Sequence, residues 1–129
     1  MSLRFITKTV HSYIDYPVAI SLIALPFVLG VGAMNPLARW LSIGTGIAAF
    51  VLTLFTDHQT GVFRVLSYPF HVAVDRLVGL TFLAAPWVFG FAGLDALYYW
   101  VNAAAVLAVT FLLNAPEPTA GHSLREVIS

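Results

Sequence analysis

The sequence predicts an all-α membrane protein, a polytopic four-helix bundle made of two parallel two-helix hairpin repeats. Three observations carry this prediction. The 129 residues are 60% hydrophobic and only 9% charged, against roughly 25% in a soluble domain, so there is too little polar surface to cover a water-soluble globule. The acidic and basic residues leave four charge-free stretches, at residues 16–38, 40–56, 77–94 and 96–116. Each is close to the ~20 residues that cross a bilayer at ~1.5 Å per residue. Finally, the chain repeats itself at an offset of 60 residues.

The repeat is read directly. His11-Ser12-Tyr13-Ile14-Asp15 runs on to Pro26-Phe27-Val28-Leu29-Gly30, and His71-Val72-Ala73-Val74-Asp75 runs on to Pro86-Trp87-Val88-Phe89-Gly90. The register continues with Asn35 against Asp95, Trp40 against Trp100, Ala48 against Ala108 and Asp57 against Glu117. A constant offset without a gap over about 47 residues marks an internal duplication. The division that follows is repeat 1 over about 10–57, an interfacial linker over about 58–69, repeat 2 over about 70–117 and a flexible tail at 118–129.

Helix 1 is expected from about Val10 to Val31. Asn35 then caps helix 2, with Pro36 in the first helical position where its missing N–H costs nothing. Asp95 takes the same capping place for helix 4, its carboxylate favouring the positive helix end. The turns Gly30-Val31-Gly32 and Gly90-Phe91-Ala92-Gly93 supply left-handed glycines that end helices 1 and 3. Pro26 and Pro86 each free the carbonyl four residues earlier, at Leu22 and Phe82, and mark fixed kinks rather than hinges. Helices 2 and 4 carry small residues in register, Gly44 and Ala48 against Ala104 and Ala108, a spacing for close packing inside the protomer or between protomers. Asn102, matched to Ser42, is expected to hydrogen-bond across helices. Trp40, Trp87, Tyr98, Tyr99 and Trp100 read as an interfacial aromatic belt. In the linker, Val62, Phe63, Leu66 and Phe70 suit the headgroup region with Arg64 in water.

Two repeats of two spans each point the same way, so a pseudo-two-fold axis along the membrane normal relates them. Arg4, Lys8, Arg64, Arg76 and Arg125 stand against Arg39 alone, and the positive-inside rule puts both termini and the linker in the cytoplasm. The first apolar run is read as a retained span rather than a signal peptide, because its counterpart is internal. Net charge is zero, which gives no basis for nucleic-acid binding. The absence of cysteine excludes disulfides and thiolate metal sites. The partner the composition does imply is the lipid bilayer, with a homo-oligomer or a larger membrane complex as a further possibility.

The segment Ala85-Pro86-Trp87-Val88-Phe89-Gly90 resembles the signature of the SPW-repeat family of small bacterial membrane proteins, named for a Ser-Pro-Trp motif ending the first helix of a two-helix repeat. The upstream His-x-x-x-Asp and the linker from Thr56-Asp57-His58 to Tyr68-Pro69-Phe70-His71 fit as well. The chain departs from the motif where Ala85 replaces the serine and where the first repeat reads Leu25-Pro26-Phe27. The resemblance covers about residues 4–116 and implies four helices in a bacterial inner membrane. It implies no activity.

The chemistry lies in the paired His-x-x-x-Asp motifs. Residues four apart share one helix face, and ionisable groups in a span face the bundle interior or water. The candidate set is His11, Asp15, His71 and Asp75, with Asp57, His58 and Glu117 as weaker members and Arg76 nearby. Four readings compete. A structural staple would pair Asp15 with His71 or Arg76 and Asp75 with His11, or each Asp with its own histidine, contributing roughly 0–1 kcal/mol per pair near an interface. A divalent metal would take two histidines and two carboxylates. Haem b would take His11 and His71 as axial ligands, the aspartates orienting the imidazoles. Proton or small-solute transfer would run through a His/Asp relay, but only one membrane end carries such groups. No Ser/His/Asp order or HExxH motif is present. The sequence reading is therefore a non-enzymatic structural, assembly or interaction protein without a resident cofactor. A metal- or haem-binding module is the alternative, and proton or small-solute transfer the second alternative.

Overall fold

A computed structural model describes residues 4–115; Glu117 and the expected tail at 118–129 lie outside the described residues. Four helices follow in order, α1 (Lys8–Leu29), α2 (Pro36–Phe55), α3 (Tyr68–Phe89) and α4 (Gly93–Leu107), the last running on into a π-helical turn at Ala108–Leu112. All four spans, counting Gly93–Leu112 as one, are long and apolar enough to cross a membrane. The protein is a multi-pass membrane protein built as an all-α bundle. Its exposed surface is rich in large apolar side chains, Trp40, Trp87, Val88 and Leu77 among them, as a lipid-facing surface requires.

The duplication extends into the caps. Thr7 and Ser67 each accept a hydrogen bond from the backbone N–H three residues on, so α1 and α3 start in register and carry their His/Asp pairs at the same height. Gly30 and Gly90 end these helices in left-handed conformation, φ 79° and 70°, where a side chain would be strained. Asn35 caps α2 through its side chain, with Pro36 first in the helix.

Asp95 departs from the expected cap. Helix α4 begins two residues earlier, at Gly93, after Ala92. Asp95 sits buried in the first turn and accepts from the Gly32 N–H at 2.8 Å. That buried turn N–H has a stronger claim on a carboxylate than a helix end that can start elsewhere. Its partner in register, Asn35, donates to the Phe89 carbonyl, so each residue reaches into the other repeat. The two repeats are thereby tied at this end.

Both hairpins pack closely through one small residue, but not through those singled out by spacing. In the first hairpin a Cβ on Gly46 would meet the Ala19 carbonyl at 2.7 Å; in the second, a Cβ on Gly79 would meet Leu107 at 2.8 Å. Positions 19 and 79 correspond in the repeat, as do 46 and 106, so the same crossing is achieved with the glycine on opposite helices. Gly44, Ala48 and Ala104 are exposed and Ala108 is half-buried; this stripe lies on the outer surface and is not an internal seam.

Pro26 is buried within a continuous α1, and the Leu22 carbonyl it frees accepts from Ser42 Oγ at 2.7 Å. Ser42 also meets the Tyr98 hydroxyl at 2.6 Å. Tyr98 and Tyr99 therefore leave the aromatic belt: both are buried, Tyr99 donating to the Ala38 carbonyl. The three tryptophans stay exposed. Asn102 does not cross between helices either; it donates to the Tyr98 carbonyl one turn back.

At the opposite end the chain closes on itself. Leu66 N donates to the Phe55 carbonyl and Asp57 N to Leu66, while Ile6 N donates to Leu113 and Ala115 N to Ile6. The entrance of each repeat is thus fastened to the exit of the other. Here the offset between equivalent partners is 58, so Asp57 corresponds to Ala115 rather than to Glu117.

Candidate functional site

The closed end holds a cluster of ionisable side chains. The i,i+4 spacing puts His11 above Asp15 and His71 above Asp75, and the facing helices bring all four to one point. His11 Nε2 lies 2.9 Å from Asp15 Oδ1 and 3.0 Å from Asp75 Oδ2. His71 Nε2 lies 3.3 Å from Asp15 Oδ2 and 3.2 Å from Asp75 Oδ2. Each aspartate therefore meets its own histidine and the one across the axis, which merges the two staple arrangements. One ligand atom from each of the four residues lies within 4.8 Å of every other.

A third imidazole comes from the linker. His58 Nε2 reaches Asp15 Oδ2 at 3.2 Å, its side chain fully enclosed. The linker is held in a tight fold. Val62 and Phe63 donate to the Leu54 carbonyl, and Val65 and Leu66 to Phe55, which satisfies carbonyls that the end of α2 leaves open. Thr60 Oγ1 donates to the Ser12 carbonyl and Tyr16 OH to the Thr60 carbonyl, both at 2.8 Å. A Cβ on Gly61 would overlap the Thr56 carbonyl. The polar half of the segment thus seals the cluster, while Val62, Phe63 and Phe70 remain exposed beside Arg64.

Thr56, which the sequence did not single out, fixes the state of His71. Its hydroxyl donates to the Leu52 carbonyl at 2.6 Å, and its oxygen lies 2.7 Å from His71 Nδ1. A hydroxyl has one proton, already given to Leu52, so His71 Nδ1–H is the donor to Thr56. His71 Nε2 then carries a lone pair toward two carboxylate oxygens unless a proton or a metal ion stands there. The only advance signal was the position of Thr56 at the exit of α2, beside His58.

Several candidates are not in the cluster. Asp57 is exposed and uses its backbone N–H on Leu66. Arg76 points away: its guanidinium donates to the Thr110 carbonyl at 2.6 Å and lies 4.2 Å from the Phe111 ring centre. The π-helical turn brings that carbonyl and ring within reach. Lys8 lies over the Tyr68 ring. The haem arrangement does not fit. The His11 and His71 rings are edge-on with centroids 5.5 Å apart, and both Nε2 atoms contact the same Asp75 oxygen. No slot for a porphyrin plane exists between them.

What the arrangement can hold is a single small cation. Bonds of about 2.1 Å from imidazole nitrogen and carboxylate oxygen to a first-row divalent ion put neighbouring ligand atoms about 3.0–3.4 Å apart, close to the four His–Asp separations of 2.9, 3.0, 3.2 and 3.3 Å. Two aspartates balance a charge of two. A cavity of about 140 Å³ adjoins the cluster, bounded by all four helices.

Neither a curated protein nor a solved structure matches the chain. The family model described as the SPW repeat domain matches residues 9–116. That match runs from the first turn of α1 to beyond the π-helical turn and includes both His/Asp pairs and the sealing linker; the chain belongs to the SPW repeat family.

Proposed function

We propose that this membrane protein binds one divalent transition-metal ion between α1 and α3, with His11, Asp15, His71 and Asp75 as ligands and His58 holding Asp15 from the linker. The carrying observation is the His71 ring. With Nδ1–H committed to Thr56, its Nε2 lone pair faces oxygens of Asp15 and Asp75 at 3.3 and 3.2 Å. Such a contact is repulsive for a neutral imidazole and attractive once a proton or a metal ion sits between, and a metal ion relieves the contacts of both histidines together. A divalent ion serves the four convergent groups at once and leaves the site neutral, which matters where charge is costly. Nitrogen and oxygen donors without thiolate suit zinc, iron or manganese. The ion's role in this reading is binding and assembly of the bundle end, not turnover. In this reading the cluster and both termini face the cytoplasm across a bacterial inner membrane, which the excess of basic residues at the closed end supports.

The test is elemental analysis of protein purified through a tag other than polyhistidine. About one metal ion per chain is expected, lost in the double variant His11→Ala/His71→Ala and kept in Asp57→Ala. Folded wild-type protein free of metal overturns the reading.

A second reading, a self-assembling scaffold, is favoured by the outward stripe of Gly44, Ala48 and Ala104. Small residues on a lipid-facing surface let a second helix approach closely. Native mass spectrometry decides it: a dimer weakened by Gly44→Leu supports the scaffold, and a monomer throughout excludes it.

A further inference from the structure

We propose that the crevice between α1 and α4 admits a bilayer-dissolved molecule that joins an apolar tail to a neutral oxygen donor, an alcohol or a carbonyl, and brings that oxygen to the ion. The inference rests on the metal reading above. The cavity has its polar end at the His/Asp cluster, and its walls are apolar side chains such as Val18, Ala105 and Val109. Val18 is 39% exposed and Ala105 is exposed. Val18 lies about 15 Å along α1 from Lys8, so the mouth opens sideways at the depth of the hydrocarbon, not toward water.

The aqueous end is sealed by different parts of the chain. The linker covers α1 through the Thr60–Ser12 and Tyr16–Thr60 bonds, with His58 enclosed beneath it. A molecule reaching the cluster through the crevice therefore comes from the bilayer. The ligand is neutral because Asp15 and Asp75 already balance a divalent ion; an anionic head would add an unpaired charge to an apolar wall. The crevice also breaks the pseudo-symmetry. Asn102 lines it, whereas its counterpart Ser42 is buried and bonded to Leu22 and Tyr98. One side of the bundle is closed and the other left open.

The experiment uses full-length protein loaded with Co²⁺ in lipid nanodiscs, with the visible ligand-field bands as readout. Added 1-decanol is expected to shift the bands saturably, while decane and glycerol do not. Ala105→Phe, which fills the mouth, is expected to take up Co²⁺ as wild type does and to weaken the decanol response at least tenfold. Val18→Phe fills the same mouth from α1 and decides the matter if Ala105→Phe does not take up Co²⁺. Bound Co²⁺ without a decanol shift overturns the crevice and leaves the metal site standing, as does an equal response to glycerol or an undiminished response in a loaded Phe variant. Failure of the wild type to bind Co²⁺ overturns both.

Discussion

A threonine hydroxyl sets the electrostatics of the cluster. Thr56 accepts from His71 Nδ1–H because its own proton is engaged by Leu52, and this turns Nε2 toward Asp15 and Asp75. Outer partners of this kind typically change metal affinity 10–100-fold. Thr56→Val is expected to weaken binding by that factor with little change in helix content, as measured by competition with a chromophoric chelator; unchanged affinity would separate the hydroxyl from the site. The four central side chains were legible because the duplication repeats them and one helix turn joins each pair. Thr56 was not, since a hydroxyl at a helix end ordinarily bonds back to its own helix, which it also does here. The match of Asp57 with Glu117 misled: the offset shortens to 58 where the repeat ends meet, and Asp57 faces outward. His58 stood out only as a neighbour of Asp57, although it is the one of the two that turns inward.

The helices owe their spacing to two local compensations. Pro26 strips the Leu22 carbonyl of its helical donor, and Ser42 supplies another. Ser42→Ala leaves that buried carbonyl and the Tyr98 hydroxyl without this partner, a cost of about 1–3 kcal/mol. Adding Pro26→Ala restores the helical bond but not the Tyr98 partner and should cancel part of the loss, so a double-mutant cycle by denaturant titration is expected to give clear coupling; additive effects would mean the carbonyl does not need Ser42. The second compensation is the glycine crossing. Gly46→Ala forces a methyl against the Ala19 carbonyl and should cost about 1–3 kcal/mol, whereas Gly44→Ala, with nothing within 4 Å of its Cβ, should leave unfolding of the isolated chain nearly unchanged. Thermal unfolding in detergent distinguishes the two. Small-residue spacing did not find the crossing inside the hairpins, because Gly44-x-x-x-Ala48 faces outward on the same short stretch as the buried Gly46; packing between protomers is the alternative it leaves. Register alone cannot say which side meets the partner helix. The tyrosines failed in the same way: position placed Tyr98 and Tyr99 near the interface, but hydroxyl partners on Ser42 and Ala38 take them inside.

At the scale of the molecule, the duplication produces a bundle tied at both ends. Asn35 and Asp95 reach across the repeats at one end, and the backbone bonds of Ile6 and Leu66 fasten each repeat to the other's exit. Between them, α1 and α3 present two aspartates and two histidines across the pseudo-two-fold axis, and the linker adds a histidine without a counterpart. Hydropathy and the repeat made this architecture readable from sequence; the side on which the bundle opens was not, because it depends on how Ser42 and Asn102, equivalent in register, spend their hydrogen bonds. The converging side chains are proposed to hold a metal ion. X-ray absorption fine structure on the purified protein tests it most directly. The expected first shell is nitrogen and oxygen at about 2.0–2.2 Å, with imidazole scattering from at least two histidines and no sulfur. A shell without imidazole scattering, or protein that carries no metal, would contradict it.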